Sequence, residues 1–216
     1  MQRRVKTWGR LVACAVLAMG LQACALANVA IDAPPDIYVL TTPDIDLGSE
    51  RPRLSLLLVI DEPYAPAALD SNRVVYQPSP NEIRYFSNAR WSDRVPQMVQ
   101  VLLVDLLDRS AKFQAVGRRA AGMRSDYLVR LSILTFGAET DGTEAETVRV
   151  VFNAQLVRRF SDEIVAGRRF ETVAQLEGKG MINVVGAFDR ATSTALGNIA
   201  VWIYDEAVRA TLAPEG

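Results

Sequence analysis

Positions 11–31 carry no charged residue, and beyond them apolar residues recur first at strand spacing and then at helix spacing. Ile37 to Leu40 is a short apolar and aromatic run, the first strand candidate. Leu54 to Ile60 is almost continuously apolar, the pattern of a strand buried on both faces, and is expected near the middle of a sheet. Asp61-Glu62-Pro63 stops it. Arg73–Gln77 and Glu82–Phe86 flank Pro78-Ser79-Pro80-Asn81, which predicts a β-hairpin with a four-residue turn. From Asn88 to Ser110 the period changes. Val95, Val99, Leu102, Leu106 and Leu107 fall on one helical face, with Gln97, Gln100, Asp105, Asp108 and Arg109 on others. Pro96 suits a first helical turn and Ser92 or Asp93 a cap, so an amphipathic helix of about four turns is expected.

Phe113 to Val116 reads as a brief edge strand, followed by a basic, glycine-containing loop from Gly117 to Arg124. Three long strand candidates follow: Tyr127–Phe136, Val148–Val157 and Ile164–Leu176. In the second, Val148, Val150, Phe152, Ala154 and Leu156 alternate with Arg149, Asn153 and Gln155. Turn signals at Asp141-Gly142 and Ser161-Asp162-Glu163 join the three into an antiparallel meander. A second helix is expected within Val184–Leu212, with Phe188, Thr192, Ala195, Ile199, Trp202, Ile203 and Ala207 as its apolar stripe. The fold class is therefore α+β: a mostly antiparallel or mixed sheet with two long helices on one face.

The uncharged run changes this picture by dividing the chain. Arg3, Arg4, Lys6 and Arg10 precede an apolar stretch from Leu11 to Gly20, the layout of an export signal. Leu21-Gln22-Ala23-Cys24 closes it and resembles a bacterial lipobox. That resemblance implies cleavage before Cys24 and a covalent lipid on its thiol. A retained membrane helix is the competing reading, since about 20 apolar residues span a bilayer. Gln22, Asn28 and Gly20 dilute its second half, and Pro34-Pro35 follow closely. An ordinary signal cut at Ala23 or Ala27 is the other. The expected organisation is a signal peptide over 1–23, a lipidated tether over 24–36 stiffened by Pro34-Pro35, and one domain over 37–216.

Composition excludes more than it assigns. About 190 residues follow Cys24, enough for one domain with a full core. Removing the four basic residues of the leader leaves 20 basic side chains against 25 acidic ones, a net charge of −5, which gives no footprint for nucleic acid. There is no histidine, so histidine-based triads, zinc sites and pH switches are excluded. Cys14 lies in the leader, which leaves Cys24 as the one cysteine of the mature chain. Gly178-Lys179-Gly180 lacks the spacing of a phosphate-binding loop.

Glu139, Asp141, Glu144 and Glu146 could be drawn as the acid pair of a hydrolase, but they fall at an expected hairpin tip, where solvated turn chemistry explains them. Arg118, Arg119 and Arg124, with Arg158, Arg159, Arg168 and Arg169, could meet anionic headgroups, but a solvated sheet face explains them as well. No catalytic residue, metal ligand or cofactor site is expected, and the chain is not expected to be an enzyme.

The most specific internal segment runs Tyr85-Phe86-Ser87-Asn88-Ala89-Arg90-Trp91-Ser92-Asp93-Arg94-Val95-Pro96. It resembles the segment before the first helix in the ABC-type transport auxiliary lipoprotein family, which includes the Pqi-type outer-membrane lipoproteins. Tyr85, Phe86, Ala89, Arg90, Trp91, Asp93 and Pro96 carry the match. Ile37-Tyr38-Val39-Leu40, Phe113 with Val116-Gly117 and the C-terminal helix support it. The resemblance implies an accessory component of an ABC or MCE-type lipid transport system. Its expected partners are a periplasmic MCE-domain protein and an inner-membrane transporter component, with a homo-oligomeric ring as a candidate assembly. It implies an acyl anchor in the outer membrane, on the periplasmic face, since Ala25 rather than Asp follows Cys24. Tyr85, Phe86, Arg90, Trp91, Asp93 and Pro96 are candidates either for partner docking or for packing where strand meets helix. A periplasmic lipid-binding carrier or sensor, with an apolar cavity between sheet and helices, is the alternative.

Overall fold

A computed structural model of the chain describes residues 34–119, 124–140 and 145–212. The leader, Cys24, most of the expected tether, part of the basic loop and the Asp141-Gly142 turn lie outside the described residues. The described residues from Pro35 onward form one unit.

Its spine is a meander of three long strands: β6 (Tyr127–Thr140), β7 (Ala145–Arg158) and β8 (Glu163–Gln175). The antiparallel registers run almost end to end, with Ile133 opposite Phe152 and Phe152 opposite Phe170. The free side of β6 is shared by two groups of strands. At its start β2 (Leu54–Ile60) pairs in parallel, with Leu58 opposite Tyr127 and Ile60 opposite Val129, and β5 (Phe113–Arg118) lies parallel outside β2. At its end β3 (Arg73–Ser79) pairs in parallel through Tyr76 and Gln77, followed by β4 (Glu82–Trp91) and then β1 (Asp36–Tyr38). Tyr64 bridges the gap between the groups. Its N–H donates to the Leu131 carbonyl at 2.9 Å, and its carbonyl accepts from Ile133 N–H at 2.8 Å. The eight-stranded sheet is mixed, with parallel pairings wherever β1, β2 and β3 meet their neighbours other than β3 with β4.

Both helices, α1 (Val95–Arg109) and α2 (Met181–Leu212), cover one face and share a single core with the sheet. Every residue of the two expected apolar stripes is buried. In β7 Val148, Val150, Phe152, Ala154 and Leu156 all face that core. Val151 and Val157, at the alternate positions, are buried as well, and Val157 forms a small second apolar cluster with Val59 and Leu128.

Five expectations shift. Ser79 pairs with Glu82, so the hairpin turn is the two residues Pro80-Asn81; an irregularity in register after Tyr76 accommodates Pro78, which has no N–H for the ladder. β4 continues to Trp91 instead of giving way at Asn88. Trp91 N–H is held by the Asn72 carbonyl and Ser92 N–H by Tyr38, which keeps the backbone extended. The helix therefore starts at Val95, with Arg94 at the cap and no side-chain capping bond from Ser92 or Asp93. Gln100 is buried, not on a polar face, because its amide donates to the Ile60 carbonyl at 3.0 Å where β2 ends against α1. β2 itself is buried on both faces only over Leu58–Ile60, since its first half runs past the start of β6.

Candidate functional site

The β4–α1 junction is built from the strand upward. Trp91 is 1% exposed, its ring edge-on to Phe188 at 5.1 Å and to Phe136 at 6.1 Å, so it locks the end of β4 onto α2. Its indole N–H has no protein partner. Arg90 folds back on its own strand and donates to the carbonyls of Phe86 and Ala89 at 3.1 and 2.8 Å. Asp93 accepts from Arg94 N–H at 2.7 Å, and Pro96 is buried in the first turn of α1. Tyr85 stacks under the Arg73 guanidinium at 3.5 Å and donates its hydroxyl to the Ala68 carbonyl. Phe86 packs on Tyr76 with centroids 4.9 Å apart.

Trp91 and Pro96 are thus placed in packing, whereas Phe86 and Asp93 reach the walls of two clefts. One cleft, of about 230 Å³, lies between the residues after β1 and the outer side of α1, lined by Val39, Leu40, Ser92, Asp93, Gln97, Met98, Val101 and Leu102. The other, of about 300 Å³, lies where α2 begins, with Phe86, Asn88, Leu176, Met181 and Val184 on its walls. Around them Ile37 is 70%, Val39 62%, Val101 45% and Ile182 70% exposed. Large apolar side chains left in water beside a three-residue edge strand form the kind of surface that protein contacts use.

Sequence reasoning passed over Arg94 as a separate feature. Its guanidinium donates to Asp70 (Nε, 2.7 Å) and to Glu62 (3.0 Å), tying the loop after β2 to the start of α1. The hydrogen bond it donates to Asp70 holds its pKa above the ordinary guanidinium value. The signal was available: an arginine at a helix start, where the dipole disfavours cations, asks for an acidic partner. Beyond it, a polar crevice of about 800 Å³ is lined by Asp61, Glu62, Gln100, Arg118 and Arg119, with Arg119 Nε 2.7 Å from Asp61.

On the uncovered face of the sheet, Glu139 is not a solvated tip residue. It sits in β6, where Arg149 donates to it at 2.6 Å and the Thr147 hydroxyl at 3.2 Å; Arg149 also binds Glu171. Hydrogen bonding from Arg149 lowers the Glu139 pKa, while Glu139 first and Glu171 second raise that of Arg149. This is an ion-pair network with every member occupied. Asp141 and Glu144 lie outside the described residues. Arg158 pairs with Glu163 at 3.5 Å, Arg169 with Glu171 at 3.5 Å, and Arg168 lies over the Phe170 ring. Among the described residues no group of three or more acidic or thiol side chains could hold a metal ion, and no helix is long and apolar enough to cross a membrane.

Comparison with known proteins places this arrangement. The family described as the ABC-type transport auxiliary lipoprotein component matches residues 38–200, from the end of β1 into α2. An uncharacterized protein of Bradyrhizobium diazoefficiens is 30% identical over 165 residues, which cover 76% of this chain and 44% of that protein. The chain therefore spans less than half the length of that curated relative. The crystal structure of a protein from Xanthomonas campestris shares the fold with a TM-score of 0.76 at 22% identity, covering 82% of this chain and 99% of that one. A second crystal structure, of an uncharacterized protein, has a TM-score of 0.61 at 19% identity, covering 79% of this chain and 99% of its own. With its match running through every strand and most of α2, the chain belongs to the ABC-type transport auxiliary lipoprotein component family.

Proposed function

We propose that this chain is a non-catalytic docking component of an ABC or MCE-type lipid transport system, held by a lipid on Cys24 at the periplasmic face of the outer membrane. The observation that carries the reading is the family match over residues 38–200 behind the lipobox-like Leu21-Gln22-Ala23-Cys24. Acylation at one cysteine with more than one chain gives the stable attachment that a single acyl chain does not. Docking is favoured over carriage because the space between sheet and helices is occupied. Trp91, Phe136 and Phe188 pack ring to ring there, and Phe170 packs on Trp202. The exposed side chains of Ile37, Val39 and Val101 offer an apolar contact surface to a periplasmic MCE-domain partner.

The test is expression of the full chain together with an MCE-domain protein from the same source, followed by detergent extraction and capture. The chain is expected in the outer-membrane fraction with that partner bound, and Cys24→Ala is expected to release it or leave an uncut precursor. Recovery of phospholipid in place of protein from the purified chain would favour the carrier reading, and recovery of neither would reject docking.

A further inference from the structure

The ends of β2 and β5 and the second turn of α1 border the polar crevice of about 800 Å³, which docking does not use. Arg118 closes β5 opposite Ile60, the last residue of β2. Asp61 and Glu62 follow Ile60, and Gln100 donates from α1 to the Ile60 carbonyl. Strand register therefore sets two arginines, Arg118 and Arg119, against two carboxylates around one opening.

Not all of these charges are answered. Arg119 binds Asp61 through Nε at 2.7 Å, and Arg130 lies between Asp61 and Asp162 at 3.9 and 3.6 Å. Arg118 is exposed, and its guanidinium has no hydrogen bond or ion pair among the described residues. Three arginines against two carboxylates leave this wall one positive charge in excess. On the other wall the single Arg94 is shared by Glu62 and Asp70, which leaves one negative charge in excess. Gln100 adds an acceptor. It is 7% exposed, its Nε2 is engaged by Ile60 at 3.0 Å, and its Oε1 has no partner among the described residues and opens on the crevice.

We infer that the crevice binds a zwitterionic headgroup in which a phosphodiester and a primary ammonium are joined by a short linker. The free guanidinium of Arg118 matches phosphate bidentately. One surplus charge of each sign suits a diester, with its single negative charge, better than a phosphate monoester, with about two. A primary ammonium has N–H groups to give to Gln100 Oε1 and to the Glu62 oxygen that Arg94 leaves open. A quaternary ammonium has none and calls for aromatic walls, and no residue lining the crevice is aromatic. None is apolar either, so acyl chains would stay outside. Binding through a headgroup alone is weak, about millimolar. The inference therefore does not require phospholipid to survive purification, and it is independent of the docking reading.

The test is titration of glycerophosphoethanolamine into the full chain in non-ionic detergent, followed by the side-chain amide resonance of Gln100. Glycerophosphocholine, O-phosphoethanolamine and inorganic phosphate are the comparisons. Glycerophosphoethanolamine is expected to bind at least about tenfold tighter than any of the three. Arg118→Ala and Glu62→Gln are each expected to weaken it about tenfold at an unchanged thermal midpoint, since both side chains are exposed. A short-chain phosphoethanolamine lipid, below its micelle concentration, is expected to match the glycerol form, which would assign the site to a lipid headgroup. Tighter binding of O-phosphoethanolamine would assign it to a free monoester and overturn the diester reading. Equal binding of the choline form or of inorganic phosphate, no saturable binding of glycerophosphoethanolamine, exclusion of the lipid, or full affinity in Arg118→Ala would each overturn the inference.

Discussion

Strand β7 turns Val148, Val150, Phe152, Ala154 and Leu156 toward the helices and Arg149, Asn153 and Gln155 away from them, and the two sides are held by different physics. On the helix side every group is apolar and the binding is burial: Phe152, Phe188 and Trp91 are among the largest fully buried side chains. On the other side a short ladder of charges crosses three strands, Glu139 in β6, Arg149 in β7 and Glu171 in β8. Burial is worth about 1.5–3 kcal/mol for a large apolar side chain, whereas half-exposed ion pairs are worth about 0–1 kcal/mol. The helix side should therefore decide whether the domain folds, and the open side should tune how it behaves.

The largest effect is expected at Trp91→Ala, which removes the ring shared by β4, β6 and α2. A loss of about 3–5 kcal/mol is expected, seen as a thermal midpoint lowered by about 6–20 °C. An unchanged midpoint would assign Trp91 to docking after all. Next is Gly197→Ala in α2. An added Cβ would lie 2.0 Å from Ile45 Cδ1, so the Ile45 side chain must move, at about 1–3 kcal/mol. Because the obstacle is a side-chain tip, Ile45→Ala in the same chain should recover part of the loss, and a purely additive double variant would show that the contact is not the cause.

On the open side, Arg149→Met should cost only about 1 kcal/mol, and its signature is in pH rather than in midpoint. Glu139 has a folded-state pKa below its ordinary value of 4.5, so its stabilising contribution is full above that value and is lost as pH falls through the folded-state one. Urea titrations between about pH 5 and 3 should therefore show a shallower acid loss in Glu139→Gln than in the wild type. Parallel slopes would mean that the ladder carries no stability. The smallest effect is expected at Arg94→Ala, a slight drop in thermal midpoint that added salt removes, since Arg94 and Glu62 are exposed and Asp70 is only half-buried.

The same contrast explains what could be read from the sequence. Periodicity reports which face is buried, so both helices, the meander and the composition of the apolar stripes were legible in Val148–Leu156 and Phe188–Ala207. It does not report who sits beside whom. The branching of β6 between β2 and β3 rests on backbone hydrogen bonds such as those of Tyr64, which leave no trace in side-chain pattern. Gln100 misled for a related reason: a polar residue in an apolar helix signals a face only when its hydrogen bonds go to water, and here one goes to Ile60. At the junction, the aromatic residues marked a real structural hinge. The exposed apolar strip of Ile37, Val39 and Val101 was invisible because it takes the short edge strand and the outer side of α1 to assemble it.

Under the docking proposal the buried face holds the fold while this exposed strip holds the partner. The most direct test is capture of a co-expressed MCE-domain protein, the proposed partner, by the wild type and by Val101→Asp, with the thermal midpoint of each measured in parallel. The partner is expected to be retained by the wild type and lost by Val101→Asp at an unchanged midpoint. Equal retention by both chains, or loss only together with the midpoint, would contradict it.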